Sequence, residues 1–249
     1  MPLEIEDPLA TAFNQFRVSD AIHDTYPEAT IAVIVALGLS NGPTNAESSK
    51  ALTDAALGLR AAVDVDDLRD HPKIACWHEI YKRFNAKPRK YPSSVEALGR
   101  RALRPDTAVP TINCLVDFYN ALSLRHLVPI GGEDLDALEG VLELRPATGR
   151  ESFDIADDSS ADHVIVPDGE VIWTDDLGAT CRRWNWRQGR RTRLTEETKN
   201  AYFIIDAAVP STGGAEIMQI VKELTDILRV HAGAAQVGYR LIKVGNLPL

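Results

Sequence analysis

Residues 31–39 are continuously apolar and rich in β-branched side chains, and the run stops at Ser40-Asn41-Gly42-Pro43. A run without alternation, closed by turn residues, predicts a strand buried on both faces. The pattern then lengthens to a helical period. Residues 48–63 are rich in alanine and leucine, 71–83 carry Pro72 at their start, and Ser93-Ser94 with Glu96 supplies N-cap chemistry for a segment ending at Arg104. All three segments read as helices. A fourth helix is expected over 111–124, because Ile112, Leu115, Val116, Tyr119 and Leu122 recur on one helical face.

After Leu127 the period shortens to that of strands. They are expected at 141–145, 163–166, 170–174, 179–187 and 201–207, separated by Gly, Asp and Pro turns. A last helix over 215–230 presents Ile217, Ile220, Val221, Leu224, Ile227 and Leu228 at core spacing, and a strand over 239–244 follows. Helices gathered in the first half and strands in the second predict an α+β fold, with helices packed on a mostly antiparallel β-sheet, in one domain over 1–249.

The composition is that of a globular protein: 249 residues, 45% hydrophobic and 25% charged. Three scattered cysteines do not make a disulfide framework, the first residues lack a signal-peptide pattern, and no apolar run could span a bilayer. A cytoplasmic location with no membrane contact is the expectation. Charge adds a sharper feature. The net charge is −9, yet residues 182–193 contain six arginines, two tryptophans and no acid, and residues 82–104 contain eight basic residues against Glu96 alone. Two basic islands on an acidic body can concentrate a polyanion locally, and the same pattern also fits two solvated faces.

Several residues carry candidate chemistry. Asn113, Asp117 and Asn120 fall on one side of the fourth helix, although Asn and Asp are poor helix formers. They suit either orientation of a water or amine, or a buried hydrogen-bond network. Gly131-Gly132 permits close approach of a ligand to the backbone, or an ordinary turn. In the expected 179–187 strand, Arg182, Trp184 and Trp186 share one face and Arg183, Asn185 and Arg187 the other. Arginine forks phosphates and tryptophan stacks on rings, although tryptophans on strands also serve as core. Lys87, Arg89 and Lys90, spaced by Pro88 and Pro92, read as a stiff, extended loop along a phosphate backbone. The six histidines lack zinc-type spacing, and neither a metal nor another cofactor is expected.

The segments 110–120 and 197–207 carry a resemblance. PTINCLVDFYN followed by Pro129, and ETKN followed by an apolar strand ending Asp206-Ala207, resemble the two motifs of the tRNA-editing domain of the bacterial phenylalanyl-tRNA synthetase beta subunit. The likeness spans roughly residues 80–208. It implies a free-standing editing module that hydrolyses the ester of a mischarged tRNA in trans by metal-free attack of water, with the tRNA acceptor end as partner. It further implies that Asn113, Asp117, Asn120, Gly131 and Gly132 shape the catalytic wall, and that Trp184, Asn185 and Trp186 line the amino-acid pocket. Lys87, Arg89, Lys90, Arg182, Arg183 and Arg187 would then hold RNA. Two departures stand out: Gly131 occupies the place of a family histidine, and Trp184-Asn185-Trp186 replaces a glycine-rich strand. Tryptophans filling that wall imply a smaller, aliphatic amino acid instead of tyrosine.

Overall fold

The apolar run becomes the centre of the molecule because both of its faces are covered. In the computed structural model, which describes residues 7–104, 107–155, 163–208 and 211–243, the first elements are α1 (Pro8–Phe13), β1 (Phe16–Val18), α2 (Asp20–Thr25) and β2 (Ala29–Leu37). Helices follow: α3 (Ala46–Ala62), α4 (Pro72–Arg83), α5 (Ser94–Ala102) and α6 (Cys114–His126). The strand-rich part holds β3 (Ile130–Asp134), β4 (Leu142–Pro146), β5 (Ser152–Asp154), β6 (His163–Ile165), β7 (Val171–Asp175), β8 (Gly178–Arg182), β9 (Arg187–Gln188) and β10 (Ala201–Ala208). The described chain closes with α7 (Gly214–Val230) and β11 (Gln236–Lys243), so Val244 of the expected last strand lies outside the described residues.

The architecture is α+β, with mainly antiparallel sheets. A four-stranded antiparallel sheet runs β11-β2-β10-β3, and a five-stranded sheet runs β1-β4-β7-β8-β9 with β1 and β4 parallel. The pleat of the four-stranded sheet divides its side chains between two cores. Ile31, Val33, Val35, Tyr202 and Ile204 face the five-stranded sheet and Trp77, while Ala32, Ile34, Ala36, Phe203 and Ile205 face α6 and α7. This double burial is why β2 reads as an unbroken apolar run and β10 as one broken only by Asp206. A third core joins α3, α5 and α6 through Leu52, Leu59, Val95 and Leu124.

Two expectations about α6 are corrected. Its first residue is Cys114, not Thr111, because Asn113 adopts an extended backbone and caps the helix: its side-chain oxygen accepts from Val116 N at 3.1 Å. Ile112 consequently precedes the helix and is 62% exposed, outside the core its spacing implied. The expected 179–187 strand is also broken. Arg183 and Trp184 both take left-handed conformations, at φ 48° and 65°, and the chain reverses before β9. Three successive buried residues, Arg183, Trp184 and Asn185, replace the expected alternation.

Helix α5 is held by a buried carboxylate. Glu96 is fully buried and receives Arg69 at 2.8 Å, Arg100 at 2.5 Å and His78 at 2.7 Å. Against the burial that would raise it, His78, Arg100 and Arg69 hold its carboxyl below the usual range. Glu96→Gln should lower unfolding free energy by about 3 kcal/mol in urea titration, since removing one partner strands the others. Asn113→Ala should cost about 1 kcal/mol through the lost cap.

Candidate functional site

A cavity of about 410 Å³ opens beside the edge strand β3. Ser94, Leu98 and Arg101 of α5 form one side, and Val116, Tyr119 and Asn120 of α6 a second. The third side is the 184–189 segment, and the inner wall is Gly131, Glu133, Tyr202, Ile204 and Asp206 from the four-stranded sheet. Its size is that of a small organic ligand.

The segment carrying the two left-handed residues is fixed from every direction. Trp184 is fully buried, edge-on to Tyr26 at 5.1 Å and to Trp77 at 5.6 Å, and its indole N–H donates to Asp206 Oδ1 at 3.1 Å. Asn185 Nδ2 donates to Asp206 Oδ2 at 3.2 Å, Tyr81 donates to Asn185 Oδ1 at 2.8 Å, and Ser94 N donates to Asn185 O at 2.8 Å. Left-handed backbone costs a non-glycine residue roughly 1–2 kcal/mol, and these contacts offset it. Trp184, Asn185 and Trp186 all line the cavity, but as a turn and not as a strand face.

Of the other expected site residues, Asn120, Gly131 and Arg187 line the cavity. Asn113 and Asp117 stand elsewhere, in the fold's own hydrogen bonds. Asn113 Nδ2 donates to Leu194 O at 3.2 Å, and buried Asp117 accepts from Thr44 Oγ1 at 2.6 Å, Ser48 Oγ at 3.2 Å and Ile112 N at 2.9 Å. They clamp the start of α6 to α3 and to the loop after the arginines. Gly132 faces away from the cavity: a Cβ there would come within 2.6 Å of the Phe203 ring. Its backbone points to the outer edge of β3, where Glu133 bridges to Arg193 and Gln188 Nε2 donates to the Gly132 carbonyl at 3.3 Å. At Gly131 a Cβ would meet Gln188 Nε2 at 2.8 Å, so side-chain absence there keeps the cavity open.

Much of the arginine island is committed internally. Arg182 grips Glu170 with two bonds, at 2.7 and 2.8 Å, and Arg183 reaches the same carboxylate at 3.1 Å. Arg191 forks Asp175 at 2.7 and 2.9 Å. Arg183, 7% exposed, stacks over Tyr91 at 3.6 Å and Trp186 at 4.4 Å. Tyr91 ends the second basic motif, so this stack draws the two islands together. Lys87, Arg89 and Lys90 are exposed beside it. Their loop is a turn, with Lys90 N and Tyr91 N both bonded to Lys87 O at 2.9 Å, and not the extended segment its prolines suggested. Arg101 and Arg193 stand exposed at the cavity mouth.

The charged groups that the sequence did not single out are Glu133 and Asp206, both buried in the cavity wall. Asp206 was visible as an acid closing a strand whose other residues are apolar or tyrosine. Glu133 had only its place after two glycines. Burial pushes each up to about 7, opposed at Glu133 chiefly by the Tyr202 hydroxyl and at Asp206 by Asn185 and Trp184. Among the described residues no cluster of three or more His, Cys, Asp or Glu could hold a metal ion, and no helix is long and apolar enough to cross a membrane.

Comparison with known proteins places the chain in a family. The B3/4 domain model matches residues 76–216, more than half of the chain. The protein belongs to the B3/4 domain family. That span takes in α5, α6, β3 and β10, and so every wall of the cavity. A crystal structure of an N-terminal fragment of the phenylalanyl-tRNA synthetase beta-subunit from Pyrococcus horikoshii is similar at TM-score 0.47 and 10% identity, over 90% of this chain and 50% of that one. This chain therefore spans about half the length of that fragment. No curated protein matches.

The two raised carboxyls give the B3/4 domain a testable pH response. Each is bound to a proton more tightly folded than unfolded, where its pKa is about 4. Their stabilising contribution is complete below that value and is lost as pH rises through about 7. Against the cost of burial, Arg145 and the Thr148 amide hold Glu151 at about 2, so it stays ionised and adds no slope above pH 5. Melting temperature should therefore fall between pH 5 and 8. Glu133→Gln and Asp206→Asn should each flatten that fall in thermal scans across pH.

Proposed function

We propose that this B3/4 domain is an aminoacyl-tRNA editing hydrolase acting in trans, on the ester that joins a wrong amino acid to the 3′ end of a tRNA. One observation carries the reading: the exposed basic loop 87–90 ends at Tyr91, which packs on Trp186 of the cavity lining, and two exposed arginines and a buried polar wall line that same cavity. A phosphate backbone would follow Lys87, Arg89 and Lys90. Arg101 and Arg193 would meet the terminal phosphates, and the aminoacyl group would enter the cavity.

The chemistry is attack of water on the ester carbonyl. Asn120, half-buried on α6, is placed to orient the water or the amino group. The Gly132 N–H, on the same strand edge as its carbonyl, is the donor for the developing oxyanion. Asp206, poised by burial near neutrality, can accept a proton from the water and return it to the departing ribose oxygen. Asn113 and Asp117 act by holding α6, and so Asn120, in place.

A second reading has its own support. Because Arg182, Arg183 and Arg191 are spent on Glu170 and Asp175, the site also fits a small anionic metabolite. Salt separates the two. Binding of tRNA should weaken steeply with salt, and replacing Lys87, Arg89 and Lys90 by alanine should reduce the log–log slope by about 2. A flat slope in the wild type favours the metabolite. The decisive assay is deacylation of tRNAs carrying different wrong amino acids, in which Asn120→Ala should lower kcat/KM by about 100-fold. No turnover on any aminoacyl-tRNA overturns the enzyme.

A further inference from the structure

Tyr119 lines the cavity from α6, is 7% exposed, and its hydroxyl has no hydrogen-bond partner among the described residues. Other polar groups of the lining are engaged: both Asp206 oxygens receive donors from the 184–185 turn, Tyr202 donates to Glu133 Oε2, and Ser123 Oγ donates to Val128 O at 2.8 Å. A buried donor left unpaired is costly, and an acceptor brought into the cavity removes that cost. Two contacts place the phenol beside the edge of β3. Its ring meets Phe203 edge-on, with centroids 6.2 Å apart, and Phe203 is the ring that presses on Gly132. Burial pushes the phenol above its ordinary value, and the charges of Glu133, next after Gly132, and of Asp117 add to the shift, so the group keeps its proton. Glu133 bridges to Arg193 on the outer side of β3, so this stretch of strand lies beside an arginine of the mouth.

We propose that Tyr119 is a catalytic residue of this cavity, its hydroxyl donating to the carbonyl oxygen of the ester as that oxygen becomes an oxyanion. The inference rests on the editing reading and adds a side-chain donor to the Gly132 N–H. Water adds to the ester carbon, the carbonyl π electrons move onto the oxygen, and Tyr119 and Gly132 both donate to it. When the oxyanion collapses, the bond to the ribose oxygen breaks. The proton taken from the water goes to that oxygen, and Tyr119 keeps its own. A donor of this kind works by being in place before charge develops. Tyr119 meets that condition through the clamps on α6: Asn113 caps the helix, and Asp117, two residues before the tyrosine, is bonded to Thr44 and Ser48. The terminal ribose, joined to the phosphate that Arg193 would meet, then brings the ester to this stretch of β3.

Tyr119→Phe removes the hydroxyl and nothing else, which makes the test direct. Deacylation is measured with the whole protein on the mischarged tRNA that the wild type cleaves best. The variant should lose about 100-fold in kcat with KM within about twofold, because the bond forms in the transition state. The pH–rate profiles of the two proteins should keep the same shape, since the phenol gives up no proton. Melting temperature should stay within about 3 °C of the wild type, since no hydrogen bond of the fold is lost. A larger fall in melting temperature shows that the hydroxyl serves the fold and overturns the proposal. So does an unchanged kcat, or a loss that appears in KM alone; each of these leaves the editing function standing. A changed profile shape overturns the fixed donor in favour of proton transfer. Cleavage of no aminoacyl ester by the wild type removes the function and the role of Tyr119 together.

Discussion

The pairing of the Trp184 indole with the Asp206 carboxylate is the contact on which the cavity depends. It joins the 183–186 turn to the four-stranded sheet across 22 residues of chain, with both groups almost wholly buried. Tyr26 and Trp77 pack edge-on against the indole, so the two sheets and α4 meet there. The left-handed backbone at Arg183 and Trp184 is held by this burial and by the bonds of the 184–185 turn to Asp206. The reversal in turn brings Asn185 and Trp186 onto the cavity and sets Ser94, at the start of α5, against Asn185 O. Remove the indole–carboxylate contact and three walls lose their common reference.

Electrostatics follow from the same reversal. A run of six arginines on an extended strand would project charge to both faces and repel itself. Turned back, it meets acids placed by neighbouring strands: Glu170 before β7 takes Arg182 and Arg183, and Asp175 at the end of β7 takes Arg191. Arg183 is further covered by Tyr91 and Trp186, where cation–π attraction compensates part of its lost hydration. The outward-facing cations are then the loop lysines and arginine and the residues at the mouth. Charge density along the sequence is thereby a poor map of charge density on the surface.

The fold was largely legible in the sequence because its main signals are local. An unbroken apolar run marked β2, turn residues bounded the strands including β10, and Leu115, Val116, Tyr119 and Leu122 set the buried side of α6. What failed were inferences that needed a partner distant in sequence. Ile112 fits the helical spacing, yet Asn113 caps the helix after it by bonding Val116 N and, across 81 residues, Leu194 O. Trp184 fits a strand alternation, yet Asp206 draws it inward. For the site, Trp184, Asn185, Trp186, Asn120 and Gly131 were legible by position and do line the cavity. Glu133 was not, because a glutamate after two glycines carries no local sign that Tyr202 and Thr180 will enclose it.

The cavity owes its position to an edge. β3 pairs with β10 along one side, and along its other side the chain returns with a single bridge, Glu133 to Arg193: Gln188 donates to Gly132 O, and Asp134 N donates to Thr192 O at 2.7 Å. An edge strand covered this loosely retains backbone groups that a ligand can reach, whereas a central strand has none to spare. Two glycines suit opposite demands there. Gly132 has no room for a side chain because Phe203 packs on it from the helix layer, and Gly131 has room for one only if the end of the Gln188 side chain moves away. A histidine at 131 would have to displace Gln188 and with it the bond that closes the edge. The chain therefore combines a glycine at this position with a glutamine across from it, and the polar side chain on the same face of β3 is Glu133, two residues further along.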